Sequence, residues 1–296
     1  LTIRVKVDAL RCPLNSLDFV TLRIKDAVCD VFRTHAGKRP SVDTDEPDIR
    51  IHAFLDAQNV TLYIDTTGEP LFKRGLRKQT IDAPLRENLA AGILRLSGWS
   101  PGIPLFDPMC GSGTFLLEAA LISLDIAPGA QRHFAFEKLQ NFDARSWKQQ
   151  SDQCIKRQKP NVSLPIYGSD LYGRALDTTR ANLAAAGLEG TVQLKQANML
   201  EISAPALQGI LVTNPPYGER MGESEALAEF YPLLGDMLKK KFAGWKVYLF
   251  SADAQLPKLI GLAASKRTPL YNGALECRLF EYKIVAGSMR KKKQQA

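Results

Sequence analysis

The chain has few of the features that mark membrane, zinc or disulfide-rich proteins. Its 296 residues include five cysteines, and no two of them form a C-x-x-C pair. This scattered spacing argues against a zinc site and a disulfide framework, and it favours a reducing cytoplasm. The longest apolar stretch, GTFLLEAALISL from Gly111, carries Glu118 and is too short to span a bilayer. We therefore expect a globular protein with no metal and no membrane segment.

Acidic residues are in the minority. The chain has 39 Lys and Arg against 31 Asp and Glu, a formal charge of +8, which modestly favours a polyanionic partner. Part of the excess lies in LFKRGLRKQT at 71–80, where Lys73, Arg74, Arg77 and Lys78 occur without an acid. We predict that these four side chains contact nucleic acid, with a solvated linker as the alternative. The sequence does not indicate an oligomeric state.

Hydrophobic periodicity divides the chain into two parts. In the first, alternation predicts strands at 2–7, 48–55 and 60–68, and helical spacing predicts a helix at 17–34. We interpret residues 1–68 as a small β-α-β-β domain and residues 69–84 as a basic linker.

From residue 85 onward, strands alternate with helices. The predicted strands contain LFD, LPIYGSD, VQLKQANML, GILVT, WKVYLFSAD and ECRLFEYKI. This order predicts an α/β domain at 85–296 with a parallel doubly wound sheet and helices on both faces. Residues at about 126–160 lack a clear pattern, and we interpret them as an insertion.

The loop in FDPMCGSGT lies between a strand and a helix, at the sheet edge where doubly wound folds bind ligands. A dinucleotide fingerprint would need a glycine where Leu116 stands, and a phosphate loop would need Gly-Lys-Ser/Thr. Asp107, directly before the loop, would repel a pyrophosphate but suits a cofactor with a positive amine, such as S-adenosylmethionine. An aspartate here can also simply cap the next helix.

Polar residues follow the next three strands as well. Asp170 is placed to accept hydrogen bonds from ribose hydroxyls, or to cap the following helix. Asn198 is placed to bond an adenine edge. The fourth strand ends in NPPYG at 214–218, where two prolines stop the ladder and make the corner rigid.

The double-proline corner suggests a way to activate an exocyclic base amine, which is a poor nucleophile because its lone pair is conjugated. Asn214 and the Pro215 carbonyl could each accept one N–H bond, and Tyr217 could stack on the base, a contact worth about 1–3 kcal/mol. The same letters also occur in plain turns. Their position after an aspartate-glycine loop favours methyl transfer.

Four segments, DPMCGSGT, GSD at 168–170, ANM at 197–199 and NPPYG, resemble in order the motifs of Rossmann-like S-adenosylmethionine-dependent amino-methyltransferases. With the leading domain and FKRGLRK, the chain resembles enzymes that join a THUMP RNA-binding domain to such a domain. In particular it is similar to the guanine-N2 methyltransferases of large-subunit ribosomal RNA, often labelled N6-adenine-specific DNA methylases. The resemblance implies a Rossmann-like sheet preceded by a small α+β THUMP-like domain, S-adenosylmethionine as cofactor, and cytoplasmic action on ribosomal RNA.

The resemblance also implies roles for residues of the glycine loop and strand ends. The implied cofactor-binding residues are Asp107, Pro108, Cys110, Gly111, Ser112, Gly113, Asp170, Leu171, Asn198, Met199 and Asn214. The implied catalytic residues are Asn214, Pro215, Pro216 and Tyr217, which would hold the target base. The loop would surround the methionine part of the cofactor, and Asp170 would hold the ribose. Asn198 and Met199 would flank the adenine. Two departures are that many relatives carry Asp at position 198, and that the leading domain is shorter than a complete THUMP domain.

Two other functions stay open at this point. A DNA adenine-N6 methyltransferase would use the same corner, since NPPY serves adenine and cytosine amines too, although no candidate DNA-reading module is visible. A THUMP-bearing RNA scaffold without activity is the second, and absence of cofactor binding would favour it.

Overall fold

The computed structural model describes residues 1–75, 85–215 and 223–285. The described residues form two compact units. The first comprises Leu1–Leu71 and Arg132–Asp152, and the second takes its residues from Phe72–Gln131 and Gln153–Ala296. Neither unit is therefore a single continuous segment of the chain.

The first unit is a four-stranded sheet with one long helix. Its elements are β1 (Thr2–Ala9), α1 (Leu17–Ala36), β2 (Ser41–Val42), β3 (Ile49–Leu55) and β4 (Val60–Asp65). The strand order is β2-β1-β3-β4, with β1 parallel to both neighbours and β4 antiparallel to β3. The predicted strands and helix of this region are confirmed. β2 was not predicted, because two residues give no alternation.

Helix α1 has sequence signals at both ends. The Ser16 side chain accepts a hydrogen bond from the Phe19 N–H at 3.2 Å, and Gly37 ends the helix in the left-handed conformation. On the inner face of the helix, Cys29 packs with Ile3 and Ile49 in a small apolar core. This cluster joins the helix to the sheet on one face of the unit.

The second unit contains a seven-stranded sheet flanked by helices. The elements from residue 85 onward are α2 (Glu87–Leu96), β5 (Leu105–Asp107), α3 (Thr114–Ser123), a short 3-10 helix (Ala135–Lys138), α4 (Ala144–Arg157), β6 (Ile166–Asp170), α5 (Gly173–Ala185), β7 (Gln193–Gln196), β8 (Gly209–Thr213), α6 (Glu223–Lys241), β9 (Trp245–Ser251), α7 (Leu256–Leu259), β10 (Lys266–Asn272) and β11 (Leu275–Lys283). The 3-10 helix and the start of α4 belong to the first unit.

The order of the large sheet is β10-β11-β9-β8-β5-β6-β7. Strands β5 to β9 are mutually parallel, as predicted, whereas β11 and β10 add an antiparallel hairpin. The chain order runs outward from β5 in both directions, so the topological switch point lies between β5 and β8. Ligands of open α/β sheets bind at the carboxyl ends of strands beside such a point.

The insertion completes the core of the first unit. Arg132 donates hydrogen bonds to the carbonyls of Pro70 and Thr67 at 3.0 and 3.3 Å, and the Phe136 N–H donates to Thr66 at 3.0 Å. Leu139 packs against the small apolar core. Helix α4, which was not predicted, has no fully buried residue, and its sequence ARSWKQQSDQCIKR contains few apolar residues for periodicity to detect.

Several classes of feature are absent from the described part of the chain. None of its helices combines the length and apolar character needed to cross a membrane. No cluster of three or more His, Cys, Asp or Glu in the same ranges could hold a metal ion. All five cysteines lie in these ranges, and none is in a disulfide.

A buried ion pair ties the start of the second unit to α3. Nine of the ten residues of α3 are buried, and Glu118 is the only charged one among them. Its carboxylate receives two hydrogen bonds from the Arg74 guanidinium, at 3.0 and 3.1 Å, and the side chains are only 11% and 3% exposed for Arg74 and Glu118. Such a bidentate pair satisfies a charge that the helix could not otherwise bury.

Removing one partner of this pair should destabilise the second unit strongly. Glu118→Ala leaves the Arg74 guanidinium without its carboxylate, and we expect the free energy of unfolding to fall by about 3–5 kcal/mol. Urea titration followed by circular dichroism measures this. The matched control Lys239→Ala breaks the exposed pair with Asp236 and should cost less than about 1 kcal/mol.

The double variant Arg74→Met, Glu118→Leu replaces both charges by apolar groups, and we expect it to recover most of the loss. If Glu118→Ala lowered the free energy of unfolding no more than Lys239→Ala does, the buried pair of Arg74 and Glu118 would not be important for stability.

Candidate active site

Three neighbouring strands end in polar residues at one edge of the large sheet. β5 lies between β6 and β8, with Asp107 beside Gly168 and Phe106 beside Leu211. Asp107 is the last residue of β5 and Asp170 the last of β6, and Asn214 directly follows β8. Because the strands are parallel, these side chains emerge at the same carboxyl edge.

The backbone of the glycine loop is tied to the end of β6. The Cys110 N–H donates to the Ser169 carbonyl at 2.9 Å, and the Ser169 hydroxyl donates to the Pro108 carbonyl at 3.2 Å. The Gly111 N–H donates to Asp170 Oδ2 at 3.0 Å. Asp170 therefore helps to position the loop as well as ending its strand.

Helix α5 ties the loop from the other side. The Thr179 hydroxyl donates to the Gly111 carbonyl at 2.8 Å, and Asn182 Nδ2 donates to the Ser112 carbonyl at 3.0 Å. Gly113 has a φ of +79°, and a Cβ at this position would lie 2.6 Å from Thr179 Cγ2. A glycine is needed at 113 for two reasons, the left-handed backbone and the close approach of α5.

Asp107 is buried in the floor of the site. Its Oδ1 accepts a hydrogen bond from the Met109 N–H at 3.2 Å, and the carboxyl is 2% exposed. Burial raises the pKa of Asp107 to about 7, although the Thr213 hydroxyl and the Met109 N–H oppose the shift and Asp170 adds to it. The Thr213 hydroxyl faces this carboxyl without reaching full hydrogen-bond geometry. No basic side chain of the described residues contributes to this shift, so Asp107 is about half protonated near neutral pH.

Cys110 is not equipped to act as a nucleophile. Its sulfur is buried between the glycine loop and α5, 3.8 Å from the Thr179 hydroxyl. Burial raises the pKa of the Cys110 thiol well above its usual value, and the nearby Asp107 and Asp170 add to the shift. The thiol stays protonated, so its contribution is packing.

The other predicted cofactor residues lie along the same edge but differ in exposure. Asp170 is half-buried, and its Oδ1 accepts the Tyr172 N–H at 3.0 Å, while Leu171 is exposed. Asn198 Oδ1 accepts the Leu200 N–H at 3.0 Å, which closes a turn after β7. The Asn198 side chain therefore stabilises its own turn. A ligand can use only the hydrogen-bonding groups of the amide that this contact leaves unused. Met199 is 4% exposed and packs in the core beneath.

The corner after β8 contains a buried acceptor with no donor. Asn214 Oδ1 is sealed from solvent and has no hydrogen-bond partner among the described residues. A buried amide oxygen without a donor is costly, and such an atom in a native structure calls for an explanation. Pro215 is buried beside it. Pro216 and Tyr217 lie outside the described residues, so the roles proposed for them stay predictions.

The basic segment is used differently from what the sequence suggested. Arg74 does not present its charge to solvent, because the guanidinium is engaged by Glu118. The prediction that Arg74 contacts nucleic acid is therefore replaced by a structural role. Lys73 is exposed, and Arg77 and Lys78 lie outside the described residues.

Sequence reasoning missed the residues that hold the loop. Ser169, Thr179 and Asn182 are all buried, and each bonds a loop backbone atom. The one available signal was the spacing of Thr179 and Asn182, three residues apart on the face of α5 that also carries Leu176 and Leu183. Polar residues on an apolar helix face need buried partners, and a glycine loop supplies free carbonyls.

Comparison with known proteins gives the same two-part division. Residues 74–281 match the family model described as RMKL-like methyltransferase domain, and residues 2–65 match that of the THUMP domain. The protein named "Putative RNA methyltransferase slr0064", from Synechocystis sp., is 39% identical over 96% of this chain and 74% of its own length. The ribosomal RNA large subunit methyltransferase K/L of Shewanella amazonensis is 41% identical over 94% of this chain. The chain spans about two fifths of the length of that second relative, 40%.

Solved structures agree over almost the whole chain. SMU.472, described as a putative methyltransferase complexed with SAH, is 31% identical with a TM-score of 0.85, covering 97% of this chain and 76% of that one. A protein from Listeria monocytogenes described as a predicted N6-adenine-specific DNA methylase is 28% identical with a TM-score of 0.84, covering 96% and 73%. The likeness extends through both compact units.

Gly113→Ala should damage the loop far more than an alanine at a comparable glycine elsewhere. The added methyl group would lie 2.6 Å from Thr179 Cγ2, so the loop and α5 would have to move apart. We expect affinity for S-adenosylmethionine to fall at least about tenfold, measured by calorimetry. Gly187→Ala is the matched control, since Gly187 has a φ of +69° with nothing within 4 Å. Equal binding by the two variants would mean that the contact with Thr179 is unimportant.

The pKa of Asp107 predicts a pH dependence of binding. The positive amine of S-adenosylmethionine prefers the ionised carboxylate, and with a pKa of about 7 that form is lost as the pH falls. We expect affinity to fall about tenfold per pH unit below about pH 7 and to level off above it. Calorimetry from about pH 5.5 to about pH 8 measures this. Asp107→Asn should bind weakly with no such slope, and a slope that persisted in this variant would assign the titration to another group.

Proposed function

The chain belongs to the family of RMKL-like methyltransferases that carry a THUMP domain, and on this premise we propose that it methylates an exocyclic base amine in RNA. The methyl donor is S-adenosylmethionine, and the substrate that we assign is guanine N2 of large-subunit ribosomal RNA, in the cytoplasm. The observation that carries the proposal is that the parallel strands β5, β6 and β8 bring Asp107, Asp170 and Asn214 to one carboxyl edge of the sheet.

The residues of the site fit this cofactor. The amine of the methionine part would meet Asp107, ribose hydroxyls would meet the half-buried carboxylate of Asp170, and the glycine loop allows close approach of the backbone. None of the residues that we assign to the cofactor is a lysine or arginine, in keeping with a ligand that has no phosphate. When bound, the cofactor supplies a methyl group activated by its sulfonium. SMU.472 is described as complexed with SAH, the same compound without that methyl, and this supports the assignment.

The protein's task is then to hold and orient the amine. Asn214 Oδ1 and the Pro215 carbonyl would each accept one N–H of the amine, which directs its lone pair towards the methyl group. A rigid corner suits this role because the acceptors do not have to reorganise during the reaction. Alignment and removal of water, and not a strong base, would then provide most of the rate.

RNA is favoured over DNA by the first unit and by the relatives. We propose that residues 1–68 form the RNA-binding domain and residues 85–296 the methyltransferase domain, joined by the linker 69–84. The names of two relatives, an RNA methyltransferase and a ribosomal RNA large subunit methyltransferase, support RNA as the substrate class. The base must leave its stack to reach the corner, and an unpaired guanine does so at the lowest cost.

Labelled methyl transfer tests the function and the division of roles. Purified protein with labelled S-adenosylmethionine should label ribosomal RNA, and nucleoside mass spectrometry should identify N2-methylguanosine. Asn214→Ala should keep its cofactor affinity and lose about 100- to 1000-fold in transfer rate, because it removes an acceptor from the aligned amine. Asp170→Ala should weaken cofactor binding first.

Asn161→Ala provides a matched control, since this amide bonds the Gly187 carbonyl on the surface and should leave both quantities unchanged. Label in DNA adenine with all RNA unmodified would overturn the assignment of substrate. Absence of cofactor binding by the unmodified protein would instead favour an inactive scaffold. The reverse order of effects for Asn214 and Asp170 would overturn the division of roles.

A further inference from the structure

A second carboxylate leaves the sheet next to the double-proline corner. β9 runs parallel to β8, with Thr213 beside Leu249 in register. The corner begins one residue after Thr213, and β9 ends two residues after Leu249, at Ser251. Asp253 lies two residues further on, so it emerges from the same edge, on the side of Asn214 away from β5.

The Asp253 carboxylate is held in one orientation. The Tyr231 hydroxyl donates to its Oδ2 at 3.0 Å, and the Gln255 N–H donates to its Oδ1 at 2.7 Å. The Asp253 N–H in turn donates to the Ser251 hydroxyl at 3.0 Å. Tyr231 is completely buried in α6, the helix that follows the corner in the chain. A side chain fixed by a buried phenol is not a loose surface acid.

No cation neutralises Asp253 within the described ranges of the chain. Its hydrogen bonds come from a phenol and a backbone amide, both neutral, and the residue is half-buried. Each carboxylate oxygen has a further lone pair. A negative acceptor of fixed orientation is therefore available to a ligand at the corner.

We propose that Asp253 selects guanine by accepting its N1–H, while Asn214 takes the neighbouring N2 amine. This inference rests on the proposed function and identifies a residue that would determine its base specificity. Guanine carries the N1–H and N2 donors side by side, whereas adenine has a bare N1 lone pair next to its amine. That lone pair would face the carboxylate, so adenine is rejected by repulsion as well as by a missing hydrogen bond.

The experiment compares guanine with 2-aminopurine, which lacks both the N1–H and the O6 carbonyl, so that only the part of the preference that depends on residue 253 is assigned to N1. The RNA fragment that the protein methylates is prepared with guanine or 2-aminopurine at the target position. Both have the N2 amine, but 2-aminopurine has no N1–H. We expect the unmodified protein to favour guanine in kcat/KM, and Asp253→Asn to reduce this preference about 10- to 100-fold, since an amide can donate to a bare N1.

Two further variants separate specificity from general damage. Tyr231→Phe keeps the charge of Asp253 but removes one anchor, and we expect a smaller loss of preference. Asp236→Asn removes an exposed acid of α6 that pairs with Lys239, and the preference should stay unchanged. An Asp253→Asn enzyme that kept its preference, or lost activity equally on both bases, would overturn the inference. Failure of the unmodified protein to methylate any RNA would overturn the proposed function instead.

Discussion

Five hydrogen bonds from β6 and α5 hold the backbone of the glycine loop, and the geometry of the site depends on them. Glycines let a backbone approach a ligand, but they also leave it free to move. Here buried side chains, among them Thr179 and Asn182, satisfy loop carbonyls that would otherwise need water. Asp170 serves both the loop and, in our proposal, the cofactor ribose. The loop is thus preorganised before any ligand arrives, which lowers the entropy cost of binding.

Two buried acids show two solutions to the same physical problem. A carboxylate loses its hydration when it is buried, so it needs a partner or a proton. Glu118, in the middle of an apolar helix, has the Arg74 guanidinium as its partner. For Asp107, no basic side chain among the described residues offsets the burial, and its pKa rises to about 7. The first arrangement stabilises the fold. In our proposal, the second leaves Asp107 without a countercharge until the positive amine of the cofactor binds.

The sequence predicts well what depends on periodicity and on local motifs. The alternating strands, the glycine loop and the polar residues after β5, β6 and β8 could be read directly, because each follows from spacing along the chain. What could not be predicted depends on contacts between distant residues. Arg74 resembled a surface cation because its partner lies 44 positions away. Helix α4 gave no clear signal because few of its residues are apolar, although Trp147 packs edge-on against Phe134 and Phe136. The antiparallel β10 has a polar, proline-containing sequence.

The chain passes between its two compact units three times, since Arg132–Asp152 lies with the first unit although the second precedes it from Phe72. Leu139 fills the first unit's core, and Arg132 satisfies carbonyls at the end of its strands. A gene fragment that stops at residue 71 would therefore lack part of the hydrophobic interior of its own domain. During synthesis the same domain can mature only after position 152 has left the ribosome, so the amino-terminal part has to wait for the centre of the chain.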